Sequence, residues 1–180
     1  MGIGPMSNLA DLLAAHPDLA PNLEVTLMGG ALRYRHPDRA EHNIRLDVDA
    51  ARSVLAAGLR PWLVPSDVTF TPENELTRES AEYQLLAGDE VPAWAAILRE
   101  HLDCWFADFH PGTMQHDAMA LSVAMRLPFL DVDQTRVRLD AIGRLHEDPD
   151  GHEVLLARTA GYATFRAWLS ARLADQLQFA

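Results

Sequence analysis

Apolar residues in the first two thirds of the chain form short solid runs and helically spaced sets, and the last third switches towards alternation. Ile3-Gly4-Pro5-Met6 reads as the end of a strand and a turn. Leu9, Leu12 and Leu13 follow at helical spacing with Ser7 as the expected N-cap. His16-Pro17-Asp18 and Pro21-Asn22 break that helix, and Glu24 to Met28 is a buried-strand pattern. Asp47 or Asp49 is placed to cap a helix carrying Ala50, Ala51, Val54 and Leu55, with Gly58 as its stop. Trp62-Leu63-Val64-Pro65 is the next strand. Strand, helix and strand joined by short links predict α/β architecture with a mainly parallel sheet, whose ligands gather at the strands' carboxyl ends.

Pro72 opens a helical region through Ala81, Tyr83, Leu85 and Leu86, and Pro92 opens another through Trp94, Ile97, Leu98, Leu102, Trp105 and Phe106. Their large apolar residues are expected in the core. A further helix runs from about His116 to Met125. Phe129 to Leu139 and Val154 to Ala157 then predict two strands paired as antiparallel neighbours, with a turn at Asp148-Pro149-Asp150-Gly151. A closing amphipathic helix carries Tyr162, Phe165, Trp168, Leu169 and Leu173 on one face. No repeat or linker divides the sequence, so residues 1–180 are expected to form a single domain.

Composition narrows the partners. The 180 residues carry a formal net charge of -11, and their 15 Lys and Arg are scattered. No basic stripe exists to neutralise phosphates, so neither nucleic acid nor a membrane surface is an expected partner. One cysteine, Cys104, excludes an internal disulfide and a multi-thiolate zinc site, and fits a reducing, cytoplasmic setting.

Two constellations could carry chemistry. Glu41 and Asn43 follow the strand ending Met28-Gly29-Gly30, and in extended chain residues two apart face the same side. That is the outline of a polyol grip, and equally an ordinary strand, tight turn and solvated loop. His116-Asp117 opens a helix, where unpaired N–H groups favour a carboxylate and lower the pKa of a neighbouring His; a helix cap with a first-turn acid reads the same way. The turn from Asp148 to Glu153 fails the EF-hand spacing, and His101 with Cys104 lacks a second pair of metal ligands. No phosphate-binding glycine loop is present.

Taken in order, Gly4-Pro5-Met6-Ser7-Asn8, Leu27-Met28-Gly29-Gly30, Ala40-Glu41-His42-Asn43-Ile44, Val64-Pro65-Ser66-Asp67-Val68-Thr69 and His116-Asp117 resemble the C-terminal portion of the inosine-uridine-preferring nucleoside hydrolases. Val154 to Phe165 is similar to that family's closing strand and helix. The resemblance implies a mainly parallel open sheet flanked by helices, a C-terminal antiparallel strand pair and a closing helix, with the N-terminal strands missing. It implies a calcium-dependent enzyme that cleaves the N-glycosidic bond of ribonucleosides to ribose and free base. By motif, the Ser7 carbonyl, where the family usually has Thr, and Asp117 would be calcium ligands. Met28, Glu41 and Asn43 would line the ribose subsite, and His116 would lie near the leaving base.

Two departures qualify this. The family's DxDxxxDD motif, which supplies most cation ligands and the general base, has no counterpart, since Asp11 and Asp18 lie on or after the helix that follows Ser7. Arg35 stands six residues before Glu41, where the family has an amide. The chain alone is therefore expected to have little or no activity. It reads as a truncated enzyme, as one half of a split enzyme whose missing N-terminal half comes from another chain, or as a relative kept for binding a ribonucleoside or ribose; a homo-oligomer is the other expected assembly.

Overall fold

The computed structural model describes residues 1–178. Along the chain, α1 (Ser7–Ala15) and a 3₁₀ turn at Pro17–Asn22 lead into β1 (Thr26–Met28), α2 (His42–Leu46), α3 (Val48–Ala56), β2 (Trp62–Val64) and α4 (Ser66–Thr69). A second 3₁₀ turn at Pro72–Asn74 precedes β3 (Glu75–Thr77), α5 (Ala81–Leu86), α6 (Ala93–Asp108) and β4 (Gly112–Met114). The chain ends in α7 (His116–Ala124), β5 (Leu130–Leu139), β6 (Leu145–Glu147), β7 (His152–Ala160) and α8 (Tyr162–Gln178). These elements fall into two compact units: Met1–Thr69 with His116–Ala160, and Phe70–Gln115 with the segment from Gly161 onward.

The first unit is built on a five-stranded sheet of order β1-β2-β7-β5-β6. β1 pairs with β2 and β2 with β7 in parallel, while β5 lies antiparallel to both β7 and β6. Parallel strands covered on both faces need continuous apolar sequence, and all three residues of β1 are buried. Beyond β1, among the described residues, only an isolated bridge from Gly2 to Leu27 continues the sheet. The long β5–β7 pairing is the expected antiparallel addition, interrupted by one register shift at Asp131/Val132.

α3 follows its local signals. The Asp47 carboxylate accepts the Ala50 N–H at 3.0 Å, and Gly58 ends the helix at φ 77°, where a side chain would be strained. Ala50, Ala51, Val54 and Leu55 face a core shared with Met6, Leu27, Leu63, Val137, Val154 and Leu156.

Several expectations change. Ser7 is the first residue of α1 rather than its cap, which is Met6. The turn at Asp148–Gly151 is not a hairpin between partners. β5 and β6 are joined through residues 140–144, and the chain then crosses from one flank of β5 to the other. Residues 72–86 do not form one helical region, because β3 interrupts them.

In the second unit β3 and β4 form a separate antiparallel pair, with Thr77 opposite Gly112. A Cβ on Gly112 would come within 2.2 Å of a Glu75 carboxylate oxygen, so a larger residue there would push the Glu75 side chain aside. α5 meets α8 through Glu82, 1% exposed, whose carboxylate receives Arg166 Nε at 2.8 Å, Arg166 Nη2 at 2.5 Å and the Ser170 hydroxyl at 2.9 Å. Burial works to raise the Glu82 carboxyl, but hydrogen bonds from Arg166, its own backbone N–H and Ser170, with the Arg166 charge, leave it below its usual value. α6 departs from expectation most. Ala95 is its only fully buried residue, and Trp94, Ile97, Leu98 and Trp105 are exposed.

Candidate functional site

The site residues singled out in the sequence all lie in the first unit. At the end of β1, Gly30 takes φ 80° and donates its N–H to Glu41 Oε2 at 2.9 Å. Glu41 is the N-cap of α2, and its carboxylate also accepts Asn43 N–H at 3.0 Å and Ile44 N–H at 3.3 Å. Asn43 Nδ2 donates to the Met28 carbonyl at 3.0 Å, with the Met28 sulfur at 3.3 Å and the Ile3 carbonyl at 3.4 Å.

Met28, Glu41 and Asn43 thus meet in one buried cluster. They meet by helix capping, not by extended-strand projection. A Cβ on Gly29 would stand 3.4 Å from Glu41 Oε2, so the backbone passes close to the cluster.

The loop from residue 31 to 40 is clamped from outside. The Asp67 carboxylate in α4 accepts Leu32 N–H at 2.7 Å and Arg33 N–H at 2.8 Å, and Arg144 donates to the Pro37 carbonyl. Within the loop the Arg35 guanidinium lies over the Tyr34 ring, 5.2 Å from its centroid.

α7 supplies the second half. His116 Nδ1 is hydrogen bonded to Thr69 Oγ1 at 2.6 Å, with donor and acceptor set by the tautomer. Burial, and after it the charge of Arg35, pushes His116 down to about 4, so the ring is neutral at physiological pH.

Asp117 differs from Glu41 in its surroundings. It is open to solvent on one side, yet enough protein surrounds its carboxyl for desolvation to raise its pKa. It makes no hydrogen bond or ion pair among the described residues. A desolvated, unpaired carboxylate in the first turn of a helix is suited to receive a cation or a ligand's hydroxyl.

The Ser7 hydroxyl donates to Asp47 Oδ2 at 2.5 Å, tying α1 to α3, and that bond, followed by the Ala50 N–H, holds Asp47 below its usual value. Only the Ser7 carbonyl remains for the ligand role that the resemblance implies. Calcium takes six to eight oxygen donors. Asp117 and one carbonyl do not make such a set, and no group of three or more His, Cys, Asp or Glu among the described residues is arranged to hold a metal. His101 and Cys104 are both exposed.

Sequence reasoning missed Thr69 as the partner of His116; at 47 positions apart, the pair leaves no local signal. The role of Asp67 as clamp of the 31–40 loop also went unread, although the residue lies in a quoted motif.

Comparison with known proteins gives a coherent set. The family model for inosine-uridine preferring nucleoside hydrolase matches residues 1–166. A probable ribonucleoside hydrolase of Dictyostelium discoideum is 28% identical over 134 residues, covering 73% of this chain and 39% of that protein. A pyrimidine-specific ribonucleoside hydrolase, RihA, of Salmonella newport is 34% identical over 109 residues, covering 59% of this chain and 33% of that protein.

Among solved structures, the purine-preferring ribonucleoside hydrolase of Gardnerella vaginalis superposes with a TM-score of 0.81 at 22% identity, covering 99% of this chain and 60% of that one. The Bacillus anthracis inosine-uridine preferring nucleoside hydrolase gives 0.74 at 21%, covering 96% and 58%. At these identities the likeness is one of fold. The chain spans 33 to 39% of the two sequence relatives and about three-fifths of the two solved chains.

Proposed function

This chain belongs to the inosine-uridine preferring nucleoside hydrolase family, and we propose that it forms one side of a centre that hydrolyses the N-glycosidic bond of ribonucleosides. The observation that carries this reading is the unpaired, desolvated Asp117 carboxylate beside a neutral His116 at the start of α7. Cleavage at an anomeric carbon passes through an oxocarbenium-like state, which a nearby carboxylate stabilises. A neutral His116, held by Thr69, can hydrogen bond to a leaving base without placing a cation against that state. Met28, Glu41 and Asn43 would form the ribose wall. Their internal hydrogen bonds fix its shape, so a sugar is received on a rigid surface.

Calcium is the expected cofactor of this family, and Asp117 with the Ser7 carbonyl would contribute to holding it. The remaining oxygen donors and the general base must come from residues outside this chain's own set, so the chain alone has little or no activity. Purified chain with calcium and inosine or uridine is expected to release no reducing sugar. Release abolished by Asp117→Ala would overturn that expectation while supporting the assigned site.

Arg35 favours a second reading, a binding module without turnover. Its charge acts on His116, and a cation there opposes both a bound calcium and an oxocarbenium-like state. Calorimetry with ribose and calcium separates the readings. Ribose binding that needs no calcium favours the module, and binding that appears only with calcium favours the incomplete hydrolase.

A further inference from the structure

The loop from residue 31 to 40 is a positive feature of an acidic chain. Arg33, Arg35 and Arg39 fall within it, three of the 15 Lys and Arg in a molecule of formal net charge -11, and they stand against one carboxylate, Asp38. The fold sets this loop at the ribose site. The Gly30 N–H on Glu41 closes its base at 2.9 Å, so the loop rises directly from the ribose wall. α4 ties it to the other half of the site, because Asp67 holds the Leu32 and Arg33 N–H groups while Thr69 holds His116. The charge of Arg35 accordingly reaches His116.

The neighbouring carboxylates do not use this positive charge up. Glu41 is met by the Gly30, Asn43 and Ile44 N–H groups, Asp67 by two backbone N–H groups, and Asp38 faces Arg39 at 3.9 Å. The exposed Arg33 guanidinium makes no hydrogen bond or ion pair among the described residues, and Arg35 is seated over the Tyr34 ring. A cation here opposes a bound calcium and an oxocarbenium-like state. A phosphate monoester on the sugar reverses that balance, since its negative charge matches guanidinium groups, which bind phosphate through paired N–H donors.

We infer that the 31–40 loop selects a ribose bearing a 5′-phosphate, so that the site takes nucleoside 5′-monophosphates in preference to nucleosides, with Arg35 and Arg33 as the phosphate's partners. The position on the sugar follows from its chemistry. The two ring hydroxyls of ribose are adjacent, the arrangement that chelates a hard cation or meets a carboxylate such as Asp117, which leaves the exocyclic 5′ position for the loop. In a completed centre the oxygen of water bonds to the anomeric carbon, and the bond from that carbon to the base breaks with its electron pair on the base nitrogen. One proton of the water ends on the base, and ribose 5-phosphate leaves in place of ribose. This inference rests on the ribose site proposed above, with or without turnover by the chain alone.

Isothermal titration calorimetry of the full chain, with and without calcium, tests it with ribose, ribose 5-phosphate, inosine, its 5′- and 3′-monophosphates and inorganic phosphate. Ribose 5-phosphate should bind at least tenfold more tightly than ribose, and the 5′-monophosphate than inosine, with the advantage shrinking as salt is added. Arg35→Gln should remove most of that advantage and Arg33→Gln part of it. Arg60→Gln, at an exposed arginine just before β2, should leave it intact, with circular dichroism showing all three variants folded. Equal affinity for sugar and sugar phosphate, an advantage indifferent to Arg35→Gln, a 3′-monophosphate that matches the 5′ isomer, or inorganic phosphate as tight as ribose 5-phosphate overturns the inference. The ribose site has its own readout, because Asp117→Asn should weaken ribose and ribose 5-phosphate alike. Ribose binding that obeys Asp117→Asn but shows no phosphate advantage sinks the phosphate preference alone, whereas no ribose binding, or binding indifferent to Asp117→Asn, sinks the site and the preference together.

Discussion

Glu41 and Asp117 are both carboxylates at helix N-termini in the same unit, and they are used in opposite ways. Glu41 is 5% exposed and holds four backbone contacts to three N–H groups, closing the turn after β1 and starting α2. Asp117 has desolvation without compensation. A carboxylate committed to backbone donors fixes geometry, whereas one left unpaired keeps its capacity for something that is not protein. Glu82, in the other unit, is a third arrangement, in which burial is offset by a cation instead of by backbone.

The largest effect should come from Glu82. Arg166→Leu strands a buried carboxylate and should cost about 3–5 kcal/mol in urea unfolding; a loss under about 1 kcal/mol would erase the distinction from Asp117. The folded pKa of Glu82 is lowered, so its contribution is complete above the unfolded value of about 4.3 and fades as pH falls through the folded value. Arg166→Leu should remove that acid-side loss.

Glu41→Ala comes next. It leaves the Gly30, Asn43 and Ile44 N–H groups without their acceptor, and about 2–3 kcal/mol should be lost. Glu41→Gln, which keeps one acceptor oxygen, should lose less. Asp117→Asn should change stability by no more than about 0.5 kcal/mol. Its sign near neutral pH should be stabilising, because a carboxyl whose folded pKa is raised penalises the fold above that pKa and is relieved below it. A marked loss would mean that Asp117 has a structural duty.

The smallest effect concerns His116. Its ring should titrate near pH 4 by NMR, and Arg35→Gln should move that midpoint upward by less than burial has moved it down. Being depressed, this pKa gives stability that is intact above about 6.5 and declines as pH falls towards the folded value.

Where a signal was local, the sequence carried it. Asp47, Gly58, Pro92 and the apolar runs at Leu27 and Leu63 place α3, α6, β1 and β2 within a few residues. β3, β4, β6 and α2 were missed, being three to five residues long and too short to show a period. The surface of α6 was misjudged because helical spacing shows which residues share a face, not whether anything meets that face. Glu41 and Asn43 were legible as a pair, but their meeting depends on Gly30 and Met28, which only the fold brings alongside them.

The two halves of the first unit's sheet also differ in the order in which they can appear. β5, β6 and β7 are consecutive in the chain, from Leu130 to Ala160, so their ladders close over short loops. β2 finds β7 only across the separation from Trp62 to Leu155, 93 positions (155 − 62), and β1 depends on β2 for its partner. Pairings between distant positions come late in folding. During refolding, amides of Val137 and Val154 should gain protection from exchange before those of Leu63 and Leu27. The corner that positions Glu41 and Asn43 is therefore finished last, on a template that the chain's final third has already built.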